Sequence, residues 1–128
     1  MNKLFSGETQ MEKMEILEKI KEFFQSKNVE LEITTIEDTD GKLAFEIWFE
    51  KSLEMSEEEY HKLENLMSGF HFSLIDMWED FGDDTYERKS YFGTQEYQNK
   101  EEVEVSIFYT RVWTKKNTIY FIDKIWIE

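Results

Sequence analysis

The dipeptide Asp40-Gly41 lies between two segments in which apolar and polar residues alternate, and it constrains the fold more than any other feature of this sequence. Residues 29–34 alternate before it, and residues 43–50 alternate after it. Both positions of an Asp-Gly pair tolerate the positive φ angles that a tight hairpin turn requires. The pattern therefore predicts a β-hairpin. Its second strand would direct Phe45 and Ile47 to one face and Trp48, among carboxylates, to the solvated face.

Two helices are predicted from capping boxes, in which two side chains satisfy free amides at a helix start. Thr9-x-x-Glu12 precedes an apolar stripe that runs to Lys27, and Asn28 is the expected stop. Ser56-x-x-Glu59 precedes a shorter helix that would end at Gly69. The apolar residues predicted to face the core are Ile16, Leu17, Ile20, Phe23 and Phe24 in the first helix and Tyr60, Leu63 and Met67 in the second.

The rest of the chain is predicted to be mainly strand. Residues 70–80 alternate as a strand, although their apolar character also permits helix, and residues 86–101 indicate a weak strand followed by a loop. Two clearer strands flank a turn at residues 115–117. In the last strand Ile119, Phe121, Ile125 and Ile127 would share one face, with Tyr120, Ile122 and Trp126 on the other. Apolar residues on both faces predict a central position in the sheet, and Trp113 and Trp126 are expected in the core.

This order, α-β-β-α-β-β-β, predicts one α+β domain over residues 1–128: a single antiparallel sheet of about five or six strands with two helices packed on one face. A chain of 128 residues with 40% hydrophobic content has material for one core. The absence of cysteine excludes disulfides, thiolate zinc sites and a cysteine nucleophile. Residues 1–10 contain no signal-like apolar run and no segment has membrane-spanning length, so we expect a cytoplasmic protein without membrane association.

The net charge of −14 is unevenly distributed. Residues 1–50 carry 12 acidic and 6 basic groups, residues 51–87 carry 11 and 2, and residues 88–128 carry 6 and 7. Such a field repels nucleic acid and anionic membranes and attracts basic proteins. We therefore expect a basic protein partner and no direct binding of nucleic acid.

An acidic cluster lies between residues 76 and 87, and three interpretations of it are open. Its carboxylates are Asp76, Glu79, Asp80, Asp83, Asp84 and Glu87. They could bind a divalent metal, although their spacing is not that of an EF-hand. They could form a solubilising face. They could also occupy a basic groove made for phosphates and stacked bases. In this last interpretation they act with aromatic residues in polar surroundings, which are typical interface anchors. Those residues are Trp48, Trp78, Tyr86 and Tyr91.

Catalytic chemistry has little support in the sequence. Glu87-Arg88-Lys89, with Asp76 upstream, has the minimal pattern of a metal-dependent nuclease, but a nuclease needs positive potential toward its substrate. The two histidines, His61 and His71, accompany no nucleophile motif, phosphate-binding loop or zinc motif. We expect a protein that is not an enzyme, with no catalytic residue, no cofactor and no metal.

In composition, a small acidic domain that is rich in aromatics and lacks proline and cysteine resembles two groups of proteins. One is the phage-encoded inhibitors of host nucleic-acid-binding defence proteins, including anti-CRISPRs, and the other is the immunity proteins that neutralise toxic nucleases. The resemblance involves no shared motif. It implies a non-enzymatic inhibitor of a basic nucleic-acid-binding protein or nuclease, for which nucleic-acid mimicry is one mechanism, or an immunity protein for a cognate toxin. A small metal-binding domain or enzyme, and a homodimeric assembly subunit, are the alternatives from other classes.

Overall fold

The computed structural model describes residues 2–67, 71–75, 79–80, 88–99 and 103–128, and this part of the chain forms two helices and one sheet. The helices are α1 (Asn2–Gln25) and α2 (Glu57–Asn65). The strands are β1 (Leu31–Glu37), β2 (Leu43–Ser56), β3 (His71–Ile75), β4 (Glu79–Asp80), β5 (Arg88–Gln98), β6 (Glu104–Thr114) and β7 (Thr118–Ile127). All pairs are antiparallel, in the order β1-β2-β7-β6-β5-β3, and β4 also pairs with β5. The predicted α+β class is confirmed.

Helix α1 starts earlier than its capping box predicts and ends where the sequence indicates. It begins at Asn2, so the predicted start at Thr9 is wrong. Extending an existing helix by one residue costs little, and no proline interrupts residues 2–8. At the other end, Asn28 adopts a φ of 58°, its N–H donates to Gln25 O at 3.0 Å, and Val29 N–H donates to Phe24 O at 3.1 Å. These two bonds form a Schellman motif, which closes the helix.

The predicted hairpin joins β1 to β2. Gly41 has a φ of 78°, which glycine adopts without steric cost. The Asp38 carboxylate accepts the N–H groups of Asp40 at 2.9 Å and Lys42 at 2.8 Å, so the acidic side chain organises the turn. The hairpin sets the register that pairs Ile33 with Ile47.

Both helices bury their apolar stripes against the same face of the sheet. Ile20 and Phe24 of α1 and Leu63 of α2 are fully buried and belong to one core cluster. The second capping box is confirmed, since the Ser56 hydroxyl accepts the N–H of Glu59 at 3.1 Å. The sheet contributes buried residues from its central strands: Phe45, Ile47, Phe49, Val105, Ile107, Tyr109, Tyr120, Ile122, Ile125 and Ile127.

A β-bulge at Asp123 changes which residues of β7 face the core. Phe108 pairs with Lys124 and Tyr109 pairs with Ile122, so Asp123 is an extra residue opposite β6. One extra residue inverts the alternation beyond it. The predicted faces of β7 are therefore wrong. Tyr120, Ile122, Ile125 and Ile127 face the helices, and Ile119, Phe121, Lys124 and Trp126 lie on the opposite face. The predicted central position of β7, between β2 and β6, is confirmed.

Three further expectations need correction. Trp113 is 43% exposed, because it lies near the end of β6, beyond the last core residue of that strand. Trp126 is half-buried outside the core, because the bulge turns it to the other face. Residues 88–98 form a long strand rather than a weak one. The polar side chain of Gln95 is compatible with this position because it accepts a hydrogen bond from Tyr60.

Candidate protein-binding face

The face of the sheet opposite both helices carries large aromatic side chains, and we call it the open face. In the described part of the chain, α1 and α2 both pack on the other side of the sheet. Strand alternation places an aromatic residue at five positions of the open face: Trp48, Phe92, Phe108, Phe121 and Trp126. Trp48 is 40% exposed and Phe92 is 45% exposed. Exposed aromatic residues on one face are typical of an interaction surface.

The centre of the open face is a row of three residues from three strands. Trp48 pairs with Lys124, which pairs in turn with Phe108. The Lys124 ammonium lies 5.1 Å from the Trp48 ring centroid and 4.7 Å from the Phe108 ring centroid. Both distances are within the roughly 6 Å range of a cation–π interaction. The same ammonium is 3.9 Å from Glu46 Oε1. Two rings and a carboxylate therefore already hold a cation on this face.

Carboxylates surround the aromatic row. Among the described side chains, six acidic residues lie at paired positions of the open face: Glu32, Glu46, Glu54, Glu96, Glu104 and Glu128. Among the described side chains at ladder positions of this face, Lys124 is the single basic one. Trp126 Nε1 donates to Glu128 Oε2 at 3.1 Å, which ties one carboxylate to an aromatic residue. The open face is therefore both aromatic and electronegative.

One end of the open face concentrates negative charge. The main chains of Glu104 and Glu128 exchange two hydrogen bonds of 2.9 and 2.8 Å, and Glu96 lies on the strand beside Glu104. Burial raises the pKa of the Glu104 carboxyl, and the negative charges of Glu96 and Glu128 raise it further. A cation from outside would relieve the repulsion between like charges that are held together in this way.

The structure brings only some of the predicted site residues together. Glu79 and Asp80 form β4, where they pair with Phe92 and Tyr91 of β5. Trp48 lies on β2, three strand spacings from β5, which is roughly 14 Å. Trp48 is exposed, as predicted. The other predicted positions lie outside the described residues: Asp76, Trp78, Asp83, Asp84, Tyr86 and Glu87.

The histidine whose side chain the structure describes is His61, whereas for His71 it describes only the main chain, at the start of β3. His61 lies on α2 with a side chain that is 60% exposed, its Nδ1 3.0 Å from Glu64 and its Nε2 3.7 Å from Glu57. Across the described ranges, no group of three His, Asp or Glu residues is arranged to hold a metal ion. In the same ranges, no helix has the length and apolarity needed to span a bilayer. Of the nuclease-like pattern, the structure describes only the main chain of Arg88 and Lys89, at the start of β5.

A cluster of four tyrosines, which sequence reasoning missed, fastens α2 to the sheet. Its members are Tyr60, Tyr97, Tyr109 and Tyr120. The rings of Tyr60 and Tyr120 stack with centroids 4.0 Å apart. The Tyr97 hydroxyl donates to Glu64 Oε2 at 2.5 Å. Burial raises the pKa of Tyr60 and Tyr97, and the negative charge of Glu64 adds to both shifts. This network positions α2 on the sheet.

Alternation in β2 placed Glu46 on the solvated face beside Trp48, but the open-face residues Glu96, Phe108, Lys124 and Trp126 were not identified from the sequence. Alternation in β6 could have placed Phe108, whereas the bulge at Asp123 hid Lys124 and Trp126. No known family model matches the chain, and no curated protein or solved structure shows significant similarity to it. Any functional conclusion therefore depends on the chemistry of the open face.

Proposed function

We propose that this protein is a non-enzymatic acidic inhibitor, which binds a basic nucleic-acid-binding protein or nuclease and blocks it. The observation that carries the proposal is the open face, where exposed aromatic side chains lie among six carboxylates on a chain of net charge −14. Aromatic anchors supply binding energy in protein interfaces, and complementary charge supplies steering and specificity. The protein acts in the cytoplasm, as a phage anti-defence protein of the anti-CRISPR kind would.

The inhibition follows from the chemistry of the protein grooves that bind nucleic acid. Such grooves combine basic side chains that contact phosphates with surfaces on which bases stack. Carboxylates such as Glu46 and Glu96 would take the places of phosphates, and the ring of Trp48 would take the place of a base. The protein itself does not bind nucleic acid, because its own field repels phosphates.

The acidic cluster at residues 76–87 adds a second anionic region to the proposal. Its described members, Glu79 and Asp80, pair with β5, which also carries Phe92 and Glu96 of the open face. The predicted anchors Trp78, Tyr86 and Tyr91 belong to this region of the sequence. We propose that the cluster attracts the partner from a distance and that the open face contacts it.

The test begins with a purified partner. A basic protein retained on the immobilised chain is identified and purified, and its nucleic-acid binding or cleavage is titrated with this protein. The proposal expects inhibition that saturates at a fixed molar ratio and weakens as salt screens the charges. A partner that binds nucleic acid equally well with and without saturating protein would contradict it.

Charge-reversed variants then distinguish the effect of local charge on association from the effect of net charge. Reversal of Asp80, Asp83 and Asp84 to lysine should slow association markedly. The matched control reverses Glu15, Glu18 and Glu22 of α1, where Lys21 lies 3.2 Å from Glu18 and offsets its field. On-rates are measured for both variants at two salt concentrations. Equal effects would mean that net charge alone matters, and no effect from either would contradict mimicry.

The immunity-protein alternative has the same physical basis and is distinguished by the partner, which would be a toxic nuclease. The enzymatic alternative is tested by plasmid cleavage with Mg²⁺ or Mn²⁺, in which we expect no product. Cleavage that is lost in both Glu87→Ala and Lys89→Ala would overturn the non-enzymatic proposal. A thermal-shift titration with divalent cations tests the metal-binding alternative, and light scattering tests the homodimer.

A further inference from the structure

We propose that the open face docks an arginine-bearing segment of the partner, with Trp48 and Glu46 at its centre. This inference rests on the proposed function and goes beyond it, since it assigns the contact surface and the chemistry of the group that the surface recognises.

The surroundings of Lys124 have the geometry of a cation-binding site. Its ammonium lies between the Trp48 and Phe108 rings and beside Glu46. A cation–π pair with a neighbouring carboxylate is therefore already formed on this face within the protein. The Trp48 ring is 40% exposed, so it can accept a second cation from outside. Lys124 shows that this arrangement of two rings and a carboxylate accommodates a cation.

The open face is complementary in charge to a basic partner. Among the side chains that the structure describes, six carboxylates and one lysine occupy open-face positions, and this excess of negative charge favours a cationic partner. The face disfavours a second copy of the chain, because each copy would bring the same carboxylates into contact. The pKa of Glu104, raised by burial and by the charges of Glu96 and Glu128, also indicates an excess of negative charge, since these neighbours repel its ionised form. A positive group from the partner would relieve that repulsion.

Arginine fits this combination of groups better than lysine. A guanidinium is planar, stacks on an indole ring and pairs with a carboxylate through two parallel hydrogen bonds. A lysine ammonium can neither stack as a plane on the ring nor form two parallel hydrogen bonds with a carboxylate. Trp48 and Glu46 lie two residues apart on one face of β2, as such a combined contact requires.

The register also suggests how the arginines are spaced. Glu46 pairs with Trp126, Trp126 with Ser106, and Ser106 with Glu96, so the two carboxylates are three strand spacings apart. That distance is roughly 14 Å, and an extended chain covers about 13 Å in four residues. Two arginines four positions apart in an extended segment would reach both carboxylates.

The experiment uses the full chain and two synthetic peptides of equal charge, one with arginine at every fourth position and one with lysine there. Binding is measured by calorimetry and by tryptophan fluorescence at low salt. We expect the arginine peptide to bind more tightly than the lysine peptide. Trp48→Ala should weaken arginine-peptide binding about tenfold and abolish the preference, and Glu46→Gln should weaken it about threefold.

Two controls keep the result interpretable. Glu15→Gln makes the same charge change on α1 and should alter affinity less than twofold, and Trp48→Phe should retain part of the preference because it keeps a ring. The melting temperatures of all variants show whether they fold. Absence of arginine-peptide binding by the parent protein, or equal binding by Trp48→Ala and the parent, would overturn the docking site.

The inference and the proposed function fail in different ways. If the identified partner is inhibited equally by the parent protein, Trp48→Ala and Glu46→Gln, the docking site is wrong and the inhibitor proposal stands. If the peptides bind as expected but the partner keeps its nucleic-acid binding, the docking site stands and the inhibitor proposal is wrong.

Discussion

The phenolic end of the Tyr109 ring lies directly over Gly93 on the neighbouring strand. A Cβ atom added to Gly93 would be 2.7 Å from both Cζ and the hydroxyl oxygen of Tyr109. The two residues pair in register between β5 and β6, and Tyr109 also contacts Tyr60 with ring centroids 5.6 Å apart. The glycine therefore makes room for the buried tyrosine cluster that joins α2 to the sheet.

Gly93→Ala should destabilise the protein by about 1–3 kcal/mol, the usual cost of overpacking a filled core. Chemical denaturation measures the change. Thr94→Ala, at the next position of β5 on the open face, is the control and should have a smaller effect. Combining Gly93→Ala with Tyr109→Leu should cost less than the sum of the two single changes. Unchanged stability in Gly93→Ala would show that the Tyr109 ring lies elsewhere.

Ile20→Asp should strongly destabilise the domain. Ile20 is 0% exposed in the core between α1 and the sheet, and the change removes apolar contacts and buries an unpaired charge. Losing the side chain alone costs about 2–5 kcal/mol. The matched control is Lys19→Asp on the exposed side of the same helix, which should be much milder. A thermal melt of Ile20→Asp that matched the parent would contradict the packing of α1.

Stability should fall as pH rises above about 10, the ordinary pKa of tyrosine. Burial raises the pKa of Tyr60 and Tyr97 in the folded protein, so the unfolded chain loses these protons first. The stabilising contribution of the two protonated tyrosines is therefore fully present below pH 10 and is lost progressively above it. Urea denaturation between pH 8 and 11 measures the slope. Tyr97→Phe should make the slope shallower, and an unchanged slope in that variant would exclude Tyr97 as a source.

Glu104→Gln should stabilise the protein at neutral pH. The pKa of Glu104 is raised above its ordinary value, so folding favours the protonated form and the ionised form reduces stability. The penalty is absent below about pH 4 and develops as pH rises through the carboxyl range. Denaturation at pH 4 and pH 7 should show a gain at pH 7 that shrinks at pH 4, and Glu32→Gln is the control. An equal gain at both pH values would point to a cause other than charge.

Local sequence signals predicted much of this fold. The Asp40-Gly41 turn, the Ser56 capping box and the Asn28 helix stop are each determined by residues within one turn of the chain, and all three are present. The start of α1 was missed, because the capping pattern at Thr9 is not obligatory when the preceding residues can also be helical. The bulge at Asp123 was missed, because one extra residue leaves no trace in composition.

The open face could be predicted only in part. Alternation in β2 identified Trp48 as exposed, since that signal is local. The row that joins it to Lys124 and Phe108 depends on pairing between β2, β7 and β6, which are distant in sequence. The partly buried pair of Tyr97 and Glu64 likewise joins a strand to a helix across 33 positions. Such contacts follow from strand order, which the sequence pattern does not specify.

Mapping of amide chemical shifts shows directly whether the open face is the surface that binds arginine. Uniformly ¹⁵N-labelled protein is titrated with the arginine peptide at low salt and again at physiological salt. We expect the largest changes at the indole N–H groups of Trp48 and Trp126 and at the amides around Glu46, Phe108 and Lys124. The acidic side of α1 at Glu15, Glu18 and Glu22 should change little. Changes confined to α1 or to residues 76–87, or spread evenly over every acidic residue, would contradict the open face as the binding site.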